Sequence, residues 1–221
     1  MEVFIDIETI PEQPENEVKA EIAETIQAPA TMKKQETIEA WHNGEGKYAG
    51  VKDAAIEDEY RKGALDGGRG EIISVCASIG GKLLSLYRED ESESSLIAEI
   101  FSQITTAGVS SPYFIGHNVT FDLEFLWKRA VILGINPGFK IPFNGRHKSD
   151  YYCTMQAWAG YGKRISQDKL AKMLGFEGKP DDINGANVWD HYKEGNIERI
   201  AEYNQHDVET VISIYNRINF L

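Results

Sequence analysis

The segment Glu2 to Thr9 sets the first constraint. It is a short apolar run containing Val3, Phe4, Ile5 and Ile7, read as a β-strand that Pro11 and Pro14 end. Within it, Asp6 and Glu8 alternate with Ile5, Ile7 and Thr9. Strand period is two, so both acids project from the same face. Two like charges side by side on an apolar strand are costly unless something positive lies between them. A divalent cation is the simplest compensation. A lone D-x-E is more often a strand with one solvated face, so the pair gains meaning only from other acids elsewhere.

The strand is followed by a change of character. Residues 15–66 are rich in Glu, Ala and Lys, with Val18, Ile22 and Ile26 at helical spacing. A second helical stretch is expected through Ile38 and Trp41, and a third through Ile56 and Tyr60. Apolar content here looks thin for an independent core, so the whole chain, 1–221, is read as one domain carrying a helical insertion. Gly67-Gly68-Arg69-Gly70 closes that insertion. Two strand-like runs then follow, Ile72 to Ile79 and Lys82 to Tyr87, and the Gly80-Gly81 pair between them reads as a hairpin turn.

Ile97, Ile100, Phe101 and Ile104 predict a helix, Tyr113-Phe114-Ile115-Gly116 a short buried strand, and Phe121 to Leu133 another helix. Segment 139–165 reads as irregular, with one strand near Asp150 to Thr154. A helix is expected from Gln167 to Leu174, stopped by Gly175, and one or two more between Asn196 and Asn219. The sum is an α/β domain with a mixed central sheet and flanking helices.

The chain of 221 residues is 42% hydrophobic and 26% charged, ordinary for a globular protein long enough to bury a core. No apolar run has the length of a membrane span. The N-terminus carries acids where a signal peptide needs positive charge, so no membrane association and a cytoplasmic location are expected. Cys76 and Cys153 stand in no metal-ligand spacing, which argues against a disulfide framework or a zinc site. The net charge of −12 argues against a passive nucleic-acid binder. The charge is uneven, however: residues 128–179 hold ten Lys or Arg against three Asp or Glu, a local +7, leaving −19 for the rest.

Two further acids stand in telling contexts. Asp122 lies at the start of a helix just after a buried strand, in Gly116-His117-Asn118-Val119-Thr120-Phe121-Asp122. The carboxyl ends of strands are where α/β sheets collect ligands. Asp207 lies four residues after Tyr203, which puts the two on one helix face. All are oxygen donors, suited to Mg²⁺ or Mn²⁺. Two such ions held by about four carboxylates form the usual apparatus for in-line phosphoryl displacement.

Asp6-Ile7-Glu8, Asn118-Val119-Thr120-Phe121-Asp122 and Tyr203 through Asp207 resemble the three exonuclease motifs of the DEDD superfamily. That superfamily has the ribonuclease H-like fold and degrades nucleic acids from the 3′ end. With Glu at position 202 and Tyr at 203, the third motif resembles the tyrosine (DEDDy) type. Val188-Trp189 and the run Gly195 to Tyr203 are similar to predicted exonucleases related to the proofreading domain of family-B DNA polymerases. The resemblance implies that Asp6, Glu8, Asp122 and Asp207 ligate two Mg²⁺ or Mn²⁺ ions, with Asp6 as the bridge. It implies that Tyr203 orients the attacking water, and that Asn118 and Phe121 shape the second motif against substrate. Where relatives carry Asp-Thr-Met or Asp-Thr-Leu, this sequence has Cys153-Thr154-Met155, with Asp150 three residues upstream.

The basic segment, with Arg146, Lys148, Lys163, Arg164, Lys169, Lys172 and Lys179, is expected to form the wall that follows the nucleic-acid backbone. Tyr151, Tyr152, Trp158 and Tyr161 are interleaved there as candidate stacking residues. His206 is expected to point away from Asp207, and His117 to be a packing residue. The resulting expectation is a metal-dependent 3′–5′ exonuclease acting on the 3′ end of single-stranded DNA and releasing nucleoside monophosphates. An RNA-directed enzyme and a catalytically idle binding module are the alternatives. The residues outside the motifs leave no room for a polymerase domain, so a proofreading role would need a separate replication or repair partner.

Overall fold

The structure is a computed structural model that describes residues 1–88, 92–108, 111–143 and 150–221. Arg146 and Lys148 lie outside the described residues. In chain order the elements are β1 (Glu2–Pro11), α1 (Glu15–Thr25), α2 (Gln35–Asn43), α3 (Val51–Lys62), β2 (Gly70–Ile79) and β3 (Lys82–Tyr87). Next come α4 (Glu93–Thr106), β4 (Tyr113–Gly116), α5 (Val119–Leu133), β5 (Tyr151–Cys153) and α6 (Thr154–Ala159). The last are α7 (Gln167–Met173), α8 (Val188–Lys193) and α9 (Ile197–Asn219). The chain divides into two compact units, residues 1–9 with 72–221, and residues 10–71.

The strands form one mixed sheet in the order β3-β2-β1-β4-β5, with helices flanking it, as expected from the sequence pattern. β2 and β3 make the antiparallel hairpin turned at Gly80-Gly81, both of which adopt positive φ. β4 runs parallel to β1, pairing Glu2 with Tyr113 and Phe4 with Ile115, and parallel to β5, pairing Gly116 with Cys153. The carboxyl ends of β1, β4 and β5 therefore open at the same edge of the sheet.

One face of the sheet packs Val3, Ile5, Ile7, Val75 and Phe114 against Ile97, Ile100 and Ile104 of α4 and Leu123 and Leu126 of α5. On the other face Ile115 meets Val211 and Tyr215 of α9, with Phe4 and Tyr152 around them. Alternation along β1 thus sends Ile5 and Ile7 into the core and leaves Asp6 and Glu8 opposite. A buried ion pair, Arg129 with Glu93, ties α5 to α4, and Glu93 Oε1 accepts the Ile72 backbone N–H at 2.8 Å.

Two elements depart from the sequence expectation. Within the segment read as irregular, β5 leads directly into α6, and a further short helix, α8, precedes α9. Each is a six-residue helix, under two turns, too short for a 3.6-residue period to register. The stretch from Asn196 to Asn219 is a single helix, α9, and not two.

In the second unit α1, α2 and α3 bury Ile22, Trp41 and Tyr60. Lys19 on α1 pairs with Glu15 and with Glu57 on α3. The Tyr60 hydroxyl accepts from Gln13 Nε2 at 2.7 Å and donates to the Glu12 carbonyl at 3.3 Å. The Glu12 N–H in turn donates to the Arg69 carbonyl. Among the described residues no helix is long and apolar enough to cross a membrane.

Gly116 ends β4 where a side chain has no room. A Cβ there would stand 2.9 Å from both the Ile5 carbonyl oxygen and Val119 Cβ. Gly116→Ala is expected to destabilise the protein by about 1–3 kcal/mol through overpacking. Urea unfolding followed by circular dichroism measures this; unchanged stability would mean β1 and α5 are less tightly set than the packing indicates.

Candidate functional site

The shared edge of β1 and β4 holds a cavity of about 420 Å³, within the size range of small-ligand sites. Its wall includes Asp6, Glu8, Asn118, Phe121, Asp122, Lys179, Tyr203 and Asp207. The four acids come from three stretches: Asp6 and Glu8 from β1, Asp122 from the first turn of α5, and Asp207 from the middle of α9. Glu8, Asp122, Asp207 and Tyr203 are all buried. Asp6, Glu8 and Asp207 each offer a carboxylate oxygen within 4.8 Å of the other two.

Local chemistry explains how each arrives. Asn118 takes a left-handed conformation, φ 63°, to turn the chain from β4 into α5, a backbone region that asparagine tolerates better than most residues. That turn places Asp122 so that its Oδ1 accepts the Ile7 N–H at 3.3 Å, joining the second acidic stretch to the first. On α9, Tyr203 and Asp207 stand one turn apart. Gln167, at the start of α7, donates from Nε2 to both the carbonyl and Oδ1 of Asp207, at 3.0 and 3.1 Å. Asn204 donates from Nδ2 to Asp6 Oδ2 at 2.8 Å.

Confinement raises the pKa of these acids. Burial is the main cause for Asp6, followed by the charges of Asp122, Asp207 and Glu8, and its carboxyl lies well above the usual value. Glu8 is pushed up by burial and then by Asp207. Asp122 rises to about 7, again chiefly through burial, although hydrogen bonds from backbone N–H groups oppose the rise. Burial, then the charges of Asp207, Glu8 and Asp6, holds the Tyr203 hydroxyl far above the normal phenol value.

Lys179, expected from the sequence in a basic wall, lines the cavity, where its ammonium reaches Asp207 Oδ2 at 2.5 Å and donates to the Tyr203 hydroxyl oxygen at 2.5 Å. Its own N–H donates to Asp168 Oδ1 at 2.9 Å. Gly178 permits that approach, since a Cβ there would lie 2.5 Å from the same Asp168 oxygen. Gln167 and Asn204 were not among the candidates read from the sequence. Each acts through a contact at least 40 residues away in sequence, and no periodicity links such positions.

The remaining candidates divide. Asn118 and Phe121 line the cavity, Phe121 also packing on Phe125. Lys163 and Arg164 are exposed in the loop that leads to Ser166 on the cavity wall. Tyr151 packs against the main core and Tyr152 lies edge-on to Tyr215, both partly buried, whereas Trp158 and Tyr161 are exposed. Lys172 pairs with Asp168. Cys153 is buried and packs in the core.

His117 is held at both nitrogens. A carbonyl only accepts, so Nε2–H donates to the Ile165 carbonyl at 2.9 Å, and Nδ1 of the neutral ring takes the Thr154 hydroxyl at 2.9 Å. Burial lowers its pKa, consistent with a neutral ring. The cavity thus presents carboxylate oxygens and no free imidazole or thiol among the described residues, a donor set that fits a hard divalent cation.

The comparisons with known proteins follow the same lines. A family model described as a predicted 3′–5′ exonuclease related to the exonuclease domain of PolB matches residues 71–221. That span contains Asp122, Lys179, Tyr203 and Asp207 and excludes Asp6 and Glu8. Among solved structures, the chain is similar to the family B DNA polymerase from the hyperthermophilic archaeon Pyrobaculum calidifontis, with a TM-score of 0.59 and 13% identity. The match covers 98% of this chain and 24% of the polymerase chain. No curated protein matches in sequence.

The raised acids dictate a sign for pH dependence. Between the ordinary carboxylate values near 4 and about 7 for Asp122, the folded state binds more protons than the unfolded one. Stability without divalent ions should therefore fall as pH rises through that window. A divalent ion, favouring the ionised acids, should raise the melting temperature more at about pH 8 than at about pH 5. Thermal melts with a chelator or with Mn²⁺ across this range test both statements. A melting temperature that climbs with pH in chelator would contradict the arrangement.

Proposed function

Because the chain belongs to the family of predicted 3′–5′ exonucleases related to the exonuclease domain of PolB, we propose that it is a divalent-metal-dependent 3′–5′ exonuclease of the tyrosine type. Its substrate is the 3′ end of single-stranded DNA, from which it releases nucleoside monophosphates. The observation that carries this reading is the convergence of Asp6, Glu8 and Asp207 within 4.8 Å of one another on a cavity shared with Asp122 and Tyr203.

Asp6, Glu8 and Asp207 would hold one ion, and Asp6 with Asp122 a second. Bound there, Mg²⁺ or Mn²⁺ would lower the pKa of water and neutralise charge that builds on the scissile phosphate. The chain's own groups supply the rest. Tyr203 keeps its proton, since burial and neighbouring acids hold its pKa high. It is therefore an orienting hydrogen-bond partner for the attacking water and not a base. Lys179 fixes the Tyr203 hydroxyl and brings positive charge beside Asp207, where it also complements a phosphate that enters the cavity.

Asn118 and Phe121 form the wall against the terminal nucleotide. Lys163 and Arg164, exposed next to the cavity-lining Ser166, follow the strand backbone. The exposed Tyr161 beside them offers a face for base stacking. Arg146 and Lys148 remain candidates for the same role from sequence alone.

The test is hydrolysis of a 5′-labelled single-stranded oligonucleotide in Mn²⁺, which should shorten from the 3′ end one nucleotide at a time and stop with EDTA. Asp6→Asn and Asp207→Asn should abolish cleavage while the circular dichroism spectrum stays unchanged. Tyr203→Phe should slow it by about 10- to 100-fold, the value of one hydrogen bond to a charged centre at about 1.5–3 kcal/mol. Matched DNA and RNA oligonucleotides decide the sugar preference. Wild-type rates in both aspartate variants would refute the site.

A further inference from the structure

Asn204 occupies a place where the helix pattern calls for an apolar side chain. On α9 the stripe Ile200, Asn204, Val208, Val211 and Tyr215 follows i, i+4, i+8, i+11, i+15, the spacing of a core-facing helix surface. Ile200, Val208 and Val211 are fully buried, and so is Asn204, at 0% exposure. An amide in that stripe must satisfy its polar atoms or lose stability. Only half of it is satisfied. Nδ2 donates to Asp6 Oδ2 at 2.8 Å, while Oδ1 has no hydrogen-bond partner.

That asymmetry is informative. A buried, unpaired carbonyl oxygen is a net cost to stability. An aliphatic residue in this slot would avoid the penalty and continue the stripe. The local rule is broken for one contact, and that contact reaches across 198 residues to the acid at the centre of the cluster. It is the hydrogen bond that the Asp6 carboxylate receives among the described residues. Asn204 itself is fully buried and does not line the cavity, so it presents no surface to a substrate. Its donor is neutral, so it orients the acid while leaving the negative charge available to a cation, unlike Lys179 beside Asp207.

We propose that Asn204 is the positioning residue for Asp6: its amide holds one carboxylate oxygen and thereby sets the other for a divalent cation. The inference rests on the cation-binding reading of the cavity given above. Outer hydrogen bonds to ligating groups are typically worth 10- to 100-fold in metal affinity. The stability given up at Oδ1 is then the counterpart of a preorganised site.

The experiment compares wild type with Asn204→Leu, which keeps the branched outline and removes the donor and the unpaired oxygen, and with Asn204→Ala, should leucine fit poorly. Mn²⁺ binding is measured by isothermal titration without nucleic acid, beside thermal melts in chelator. The expected result is Mn²⁺ affinity weakened about tenfold or more, with a melting temperature in chelator equal to or above wild type for at least one variant. Oligonucleotide cleavage should fall at limiting Mn²⁺ and return at saturating Mn²⁺, because Asn204 touches no substrate. Variants that bind Mn²⁺ like wild type overturn this inference alone. So does affinity that falls only in step with the melting temperature, or a rate that saturating Mn²⁺ does not restore. A wild-type protein that takes up no Mn²⁺ at millimolar concentration overturns the cation-binding reading as well.

Discussion

Four carboxylates from three remote stretches of chain, facing one cavity and largely shut off from water, are the constraint around which this structure is organised. Left to themselves, such charges repel and resist desolvation, and the raised pKa values of Asp6, Glu8 and Asp122 record that tension. The apolar framework overcomes it. The opposite face of β1 buries Val3, Ile5 and Ile7, α5 is anchored by Leu123 and Leu126 beside Asp122, and α9 packs through Val208 and Val211 beside Asp207. Each acid is carried into the cavity by hydrophobic neighbours on its own element. Hydrophobic burial of order 1.5–3 kcal/mol per large side chain is what makes this possible.

The groups around the acids divide the work by charge. Lys179 is cationic and sits between Asp207 and Tyr203. In that position it offsets part of the repulsion and keeps the phenol hydroxyl in place. Gln167 and Asn204 are neutral amides, each donating to one acid from a different helix. Neutral donors restrict where a carboxylate points without cancelling its charge. An acidic cluster built only with lysines would hold its shape but have little attraction left for a cation. One built without any donors would not keep its geometry.

The sheet topology makes the convergence geometrically simple. Because β1 and β4 run parallel and adjacent, the acids just past the stretch of β1 that pairs with β4 and the turn after β4 reach the same edge. Gly116 and Asn118 serve that turn, one by leaving room for β1 and the other by adopting a left-handed backbone. Residues 10–71 form a compact unit of their own with Trp41 and Tyr60 at its centre. Two large aromatic side chains bury much of the apolar surface there, beside Ile10 and Ile22, which is why a reading based on the number of apolar residues expects so little of it.

Much of this was legible in the chain itself, because the relevant signals are local. Alternation on the first strand places Asp6 and Glu8 on one face, and four-residue spacing aligns Tyr203 with Asp207. The glycine pair at 80–81 marks the hairpin, and the long apolar periodicities mark α4, α5 and α9. What the tertiary structure alone decided are contacts between residues far apart in sequence. These include the capture of Lys179 by the acids, the grip of Gln167 on Asp207, the hydrogen bond from Asn204 to Asp6, and the division of the aromatic residues into partly buried Tyr151 and Tyr152 and exposed Trp158 and Tyr161. Local periodicity follows from the fixed pitch of helices and strands, so a linear string encodes it directly. A hydrogen bond spanning 198 residues depends on how every intervening element packs, and only the folded chain expresses that.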